Sequence, residues 1–387
     1  MATSKVIKAS CKLSYVFVLA FFFSALPGLH SQANDSAQSR LSAMALEQSG
    51  HNTEAENAWN AILSADPRNA EALAHIGLLE ARQQHMESAI GYYRRAVAID
   101  PDLPSLQMNL GLALFKAGQF PDAIDSFSSE IRKHPGDQRL MILLGMAHYG
   151  LKDYLVAIPY LQKALERSPQ DITLRLTLVR SCMGSRQYQC VVDTQRAMHA
   201  SNEEIVEADL LSAAAREKLG QSQEAINGLR DALRANLNEP DLHFALGYLL
   251  WTQDKWADAG NEFRSTLQNN PQHAKARLYL DDCLVRQSQN SKALPDLEKL
   301  SGSDPSESLV HIDLGLIDSA TGRTSDAVHE FEMARDADPE SIEPHRQLAK
   351  LYQAGGKQEE AKAEIEKGSR TSQSHPSLQD VIDTQAP

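Results

Sequence analysis

Residues 70–101 read AEALAHIGLLEARQQHMESAIGYYRRAVAIDP, and this stretch decides the fold. It divides into two amphipathic helical patterns, joined by a polar turn and closed by Pro101. Three of its residues return along the chain. Pro101 belongs to a series Pro67, Pro101, Pro135 and Pro169, resumed at Pro271, Pro305 and Pro339, with a spacing of 34 and three whole periods between Pro169 and Pro271. Ala89 belongs to a second series in the same phase: Ala55, Ala89, Ala123, Ala157, Val191, Ala225, Ala259, Ala293, Ala327 and Ala361. Gly77 belongs to a third: Ala43, Gly77, Gly111, Gly145, Val179, Ala213, Gly247, Asp281, Gly315 and Ala349. Three series in one phase describe a repeat array, so chain length does not count domains here.

Each repeated residue type answers a physical need. Gly50, Gly118, Gly220, Gly322 and Gly356 share one position, where the first helix must end and the chain reverse. Small residues on the Gly and Ala series let the two helices of a hairpin approach closely. The large apolar residues Trp59, Tyr93, Phe127, Leu161, Leu229, Phe263, Leu297 and Phe331 are expected to fill the seam towards the next repeat. Proline ends the second helix because it cannot continue the backbone hydrogen bonding. One hairpin of this size cannot bury its apolar faces, whereas a stack of them can.

These positions resemble those of the tetratricopeptide repeat family. The resemblance spans residues 34–373, ten units of 34. It implies an all-α, right-handed superhelical solenoid of about ten helix-turn-helix units. Departures are visible. The tryptophan of the family's first helix is absent, with Leu73, Gln107, Met141, His243, His311 and His345 in its place. Residues 172–239 form a degenerate pair of units that lack the proline, and Val179 stands where a small residue is expected.

Outside the array, residues 1–33 carry Lys5, Lys8 and Lys12, then the apolar run from Leu13 to Leu29 broken by Pro27-Gly28, then Ser31-Gln32-Ala33. This is the layout of a cleaved secretory signal peptide, with an uncleaved anchor as the alternative. The expected location is therefore exported, periplasmic or secreted. The whole chain of 387 residues has 38 basic and 51 acidic side chains; removing three lysines leaves 35 against 51, a mature charge of −16. Such an acidic balance opposes non-specific nucleic-acid binding, which needs a basic surface. The tail, 374–387, is polar, but Leu378, Val381 and Ile382 lie at i, i+3 and i+4, so it is either a short capping helix or a frayed end.

No nucleotide-binding loop, HExxH, GxSxG or calcium loop occurs, and the repeats leave no length for a catalytic domain. The thirteen histidines show no metal-ligand spacing; His243, His311 and His345 share one repeat position and read as packing residues. No cofactor, metal or enzymatic activity is expected. Cys182 and Cys190 fall in one degenerate hairpin, which leaves open a disulfide in an exported protein or two buried reduced thiols.

The family resemblance implies that first helices line a concave groove. Carried onto this chain, the groove positions hold Met108, Leu112, Phe115, Ile142, Met146 and Tyr149, with Phe244, Tyr248 and Trp251 further on. These form an apolar stripe suited to a helix or an extended apolar peptide. The family's carboxylate clamp does not carry over: Ala74 and Leu78 stand where Lys and Asn are needed, and Leu143 replaces an Arg. The function expected is an exported protein–protein interaction scaffold with a protein or peptide partner. The alternatives are a self-associating envelope protein, through homo-oligomers on the same stripe, and, from another class, a hydrolase built on solenoid side chains.

Overall fold

A computed structural model describes residues 30–200, 205–304, 306–370 and 375–383. The signal-peptide segment, apart from the backbone of residues 30–33, lies outside the described residues. Among those described there are 21 helices and no strand. They pair as hairpins: α1 (His30–Gln48) with α2 (Asn52–Ala65), α3 (Ala70–Arg82) with α4 (Met86–Ile99), α5 (Leu106–Lys116) with α6 (Phe120–Lys133), and α7 (Gln138–Gly150) with α8 (Tyr154–Leu165). Then follow α9 (Ile172–Gly184), α10 (Tyr188–Ala200), α11 (Val206–Lys218) with α12 (Ser222–Ala235), α13 (Pro240–Trp251) with α14 (Trp256–Asn269), and α15 (Ala274–Arg286) with α16 (Asn290–Ser303). The last hairpins are α17 (Ser308–Ala320) with α18 (Thr324–Ala337) and α19 (Ile342–Ala354) with α20 (Gln358–Arg370), before a final short helix α21 (Leu378–Asp383). The chain divides into two compact units, the first ending at Gln187 and the second beginning at Tyr188. Each is a stack of helical hairpins, a solenoid of repeats.

The turn series is more regular in backbone than in sequence. Gly50, Gly118, Gly220, Gly322 and Gly356 all have φ between +72° and +80°. The equivalent residues of the other five repeats, Gln84, Lys152, Arg186, Asp254 and Ser288, adopt φ between +58° and +68° although they carry a Cβ. Hydrogen bonding demands this: His85 N–H reaches back to Glu80 O at 2.9 Å, and Asp153 N–H to His148 O at 2.9 Å, closing the helix end. The second residue after the repeat proline also has a role that the periodicity did not reveal. Asn69 Oδ1 accepts from Ala72 N–H at 2.9 Å and Asp171 Oδ1 from Leu174 N–H at 3.0 Å, each capping the next first helix.

The large residues expected at the seam between repeats close on the small residue of their own hairpin. A Cβ at Gly111 would lie 2.5 Å from the ring of Phe127, one at Gly77 2.9 Å from Tyr93, one at Gly247 2.8 Å from Phe263, and one at Gly315 2.6 Å from Phe331. Glycine is required there because the second helix's ring occupies the place of a side chain. The first unit's core runs continuously from Leu73 through Tyr93, Leu106 and Phe127 to Leu144.

Candidate groove faces

The first unit presents an apolar face on α5 and α7. Met108, Leu112 and Phe115 follow one another on one side of α5, and Ile142, Met146 and Tyr149 occupy the same register on α7. Five of the six are half-buried; Met146 is buried. Two of them are propped from behind. Phe115 meets Phe120 edge-on at 5.5 Å between ring centroids, and Tyr149 leans on Tyr154 at 5.8 Å. Phe120 in turn fills the space where a Cβ on Gly150 would stand, at 2.6 Å. Phe120 and Tyr154 were not among the positions the sequence singled out, although their 34-residue spacing is legible there. Lys116 is exposed at the end of α5, and Arg139 at the start of α7 is occupied by Asp137, whose carboxylate it binds at 2.8 Å and holds below the usual carboxylate range. A small cleft beside this face, lined by Leu78, Asn109, Leu112 and Lys116, has room for about one water.

The corresponding face of the second unit is closed. Phe244, Tyr248 and Trp251, expected to line an open groove, are 1%, 0% and 6% exposed. Phe244 is a core residue, its ring 4.4 Å from His273, 5.9 Å from Phe263 and 6.2 Å from Tyr279. Tyr248 and Trp251 are covered by the chain's own tail. The Tyr248 hydroxyl donates to the Pro376 carbonyl, and His375 packs its ring against Trp251 at 4.5 Å. Leu378 N–H donates to Glu217 Oε2 at 2.9 Å, and Lys275 Nζ donates to the Val381 carbonyl at 3.3 Å. Leu378 and Val381 are 0% and 2% exposed. The segment 375–383 therefore lies on first helices α11 and α13 and touches α15, where a cap on the end of the stack would have packed on α19 and α20. Burial pushes the Glu217 carboxyl up and the Lys275 ammonium down.

Beneath the tail is a charged floor. Trp251 Nε1 donates to Asp282 Oδ2 at 2.6 Å, and Arg286 Nε donates to Asp282 Oδ1 at 3.0 Å. Arg286 also faces Glu343 at 3.6 Å. Burial, reinforced by Asp282, pushes the Asp313 carboxyl well up. The position reserved for small residues is filled by Asp281 in this repeat, opposite the modest Leu297; burial and then Asp296 push its carboxyl up to about 7.

The three histidines at one repeat position are paired as well as packed. His243, His311 and His345 place Nδ1 at 2.6, 2.7 and 2.5 Å from Glu262, Glu330 and Glu364, each nineteen residues later on the second helix. Arg277 faces Asp296 at the same register, 3.7 Å away. Cys182 and Cys190 are both disulfide-bonded, and Cys283 is a free, buried thiol whose ionisation burial opposes. Among the described residues no group of three or more His, Cys, Asp and Glu side chains is placed to hold a metal ion, and no helix is long and apolar enough to cross a membrane.

Comparison with known proteins gives the following. The family model described as "Tetratricopeptide repeat" matches residues 41–104, 108–172, 210–274 and 245–308. No curated protein matches the chain. Among solved structures, a tetratricopeptide repeat protein from Parabacteroides merdae is 14% identical, with 65% of this chain and 99% of that one covered and a TM-score of 0.39. Naa15/Naa10 bound to HypK-THB is 15% identical over 92% and 67% of the two chains, with a TM-score of 0.44. Yeast Tom70 is 10% identical over 92% and 95%, with a TM-score of 0.38. None of these superposes closely enough to carry an argument about this chain's sites.

Proposed function

The chain belongs to the tetratricopeptide repeat family, and on that premise we propose that it is an exported interaction scaffold that binds a helix or apolar peptide on the α5 and α7 face. Proteins of this family bind protein partners. The observation that carries the reading is the contrast in burial: Met108, Leu112, Phe115, Ile142 and Tyr149 keep part of their apolar surface in water, whereas Phe244, Tyr248 and Trp251 do not. A half-exposed row of this kind is costly for a protein that never covers it. Two rings backed by further rings are rigid, so little entropy is lost when a partner settles on them. Phe115 and Tyr149 are the anchors, since large rings at the centre of an interface carry most of its energy.

Phe115→Ala combined with Tyr149→Ala tests this. The variant should keep the parent's circular dichroism and nearly its melting temperature, while partner capture from the native envelope fraction weakens at least tenfold, about 1.4 kcal/mol. A variant that unfolds makes the rings core, and one that folds and captures normally moves the partner elsewhere. Self-association on the same face would show instead as concentration-dependent oligomers that the double variant abolishes.

Export is supported by the basic, apolar and small-residue order of residues 1–33. Among the described side chains of α1 the first buried one is Ala43. Terminal sequencing of secreted material should begin near Asn34; a retained Met1 or Lys5 would indicate an anchor.

A further inference from the structure

The second unit holds a segment that is not part of any repeat. Residues 375–383 follow the last hairpin through residues 371–374, and they return to helices more than a hundred residues earlier in the chain. Their mode of attachment is that of a ligand. Three successive first helices each send one side chain to the tail's main chain: Glu217 from α11 to Leu378 N–H, Tyr248 from α13 to the Pro376 carbonyl, and Lys275 from α15 to the Val381 carbonyl. Among the described tail side chains, Leu378 and Val381 are the two buried apolar groups, three residues apart on one side of α21. The turn is held by its own cap. Ser377 Oγ donates to Asp380 Oδ2 at 2.5 Å, Ser377 N–H donates to the same oxygen at 3.0 Å, and Asp380 N–H returns to Ser377 Oγ at 3.4 Å. A peptide carrying this cap would have its turn favoured by the same hydrogen bonds once it lies on the groove.

The floor does not need the tail. Asp282 is satisfied by Trp251 and Arg286, Arg286 also reaches Glu343, and its guanidinium lies 5.6 Å over Trp256. The aromatic wall of Tyr248, Trp251 and Tyr279 is held by mutual contacts of 4.9–5.7 Å. The tail thus sits on a finished surface, and two buried apolar side chains, three hydrogen bonds and one ring contact must offset the ordering of some eight residues. That balance is close, so the segment is displaceable.

We propose that the face of α11, α13 and α15 is a peptide site for a short helical turn of the form Pro-Ser-Leu-x-Asp-Val, and that residues 375–382 are a built-in copy of that ligand which keeps the site shut until a segment of the same chemistry on another protein displaces it. Main-chain contacts make the site tolerant of sequence, while the Leu and Val positions and the Ser/Asp cap set the class of ligand. Occupation by the tail lowers the apparent affinity for any competitor by the fraction of molecules that are open. The inference rests on the scaffold reading but uses a different face from α5 and α7, so the two can fail separately.

The test compares the mature chain with two opened forms, one ending at Arg370 and one carrying Leu378→Asp with Val381→Asp. The probe is a fluorescein-labelled synthetic peptide of residues 371–387, read by anisotropy, with a control peptide bearing the same two aspartates. Both opened forms should keep the helical signal and bind the peptide at least tenfold more tightly than the mature chain, and the control peptide should not bind. Four results overturn the proposal: folded opened forms that ignore the peptide, a mature chain that binds it equally well, loss of cooperative melting in both opened forms, which makes the tail a structural cap, or a mature dimer that becomes monomeric without the tail, which seats the tail in a second copy. Normal loss of partner capture in Phe115→Ala with Tyr149→Ala would leave the α5 and α7 face standing in every one of these cases.

Discussion

The two units use one repeat geometry and fill the same register positions with different chemistry, uncharged in three pairs of the first unit and acid-paired in four of the second. In the first unit the positions equivalent to His243 and Glu262 hold Leu73 with Tyr92, Gln107 with Ser126, and Met141 with Tyr160. In the second, His243, Arg277, His311 and His345 each face an acid nineteen residues on. The first-helix face is half open in one unit and shut in the other. Backbone regularity therefore tolerates either an apolar or a paired polar contact at the hairpin interface, provided that both partners change together. What separates the units at this register is whether the hairpin contact carries an acid, and the following expectations press on that difference.

The largest effect of a substitution is expected in the apolar unit. Gly111→Val drives a branched side chain into Phe127, whose fully buried ring has nowhere to go, and should cost about 3 kcal/mol, at the upper part of the usual range for overpacking. Gly302→Val, with nothing within 4 Å, isolates the packing cost, because Val is the better helix former at both positions and only the steric contact differs. Equal melting temperatures for the two variants would remove the glycine series from the packing account.

Next comes a pH dependence of the second unit. Asp281 ordinarily ionises near 3.8 and is pushed up to about 7. The unfolded chain gives up that proton as pH rises through the ordinary value, while the folded chain holds it to about 7. Stability should fall over that window and then level, by an amount on the order of 4 kcal/mol. Asp313 acts in the same direction. Glu364 opposes: against its burial, hydrogen bonds from His345 and Lys367 hold its pKa down, so its contribution is present above 4.5 and is lost as pH falls. Amide-exchange protection in α15 and α16, corrected for intrinsic rates, should be greater at pH 5 than at pH 8. Protection that rises with pH would mean that Asp281 is ionised in the fold.

A double-mutant cycle on His311 and Glu330 sharpens the contrast in polarity. His311→Leu leaves Glu330 without its partner and should cost about 1–2 kcal/mol. Adding Glu330→Leu recreates an apolar pair like those of the first unit and should recover most of the loss. Additive losses would show that the pair is not coupled.

The smallest effect concerns the turns. Arg186 and Lys152 hold positive φ at positions where half the repeats have glycine, so either residue changed to Gly should stabilise its hairpin by about 0.5–1 kcal/mol. Gly118→Lys should cost a similar amount. A melting temperature that falls on Lys152→Gly would show that its side chain contributes more than its backbone strain removes.

Legibility in the sequence was uneven for a definite reason. Period, hairpin boundaries and the small-residue series were readable because each depends on local rules: where a helix must stop, where a Cβ cannot fit, where proline forbids continuation. The acid partners of the histidines also recur at a fixed offset, but a spacing of nineteen corresponds to no helical period and has meaning only once two helices lie antiparallel.

By itself the sequence determined a stack of helical hairpins and the residues that face inward on each first helix, because repetition turns one local solution into an array. Only the tertiary structure decided which of those faces stay open. Leu378 and Val381 look alike to any periodicity whether they cap the last hairpin, hang in solvent or lie on Tyr248 and Trp251. The choice depends on three side chains from three repeats, Glu217, Tyr248 and Lys275, meeting the main chain of one segment, and no rule along the chain couples positions that far apart.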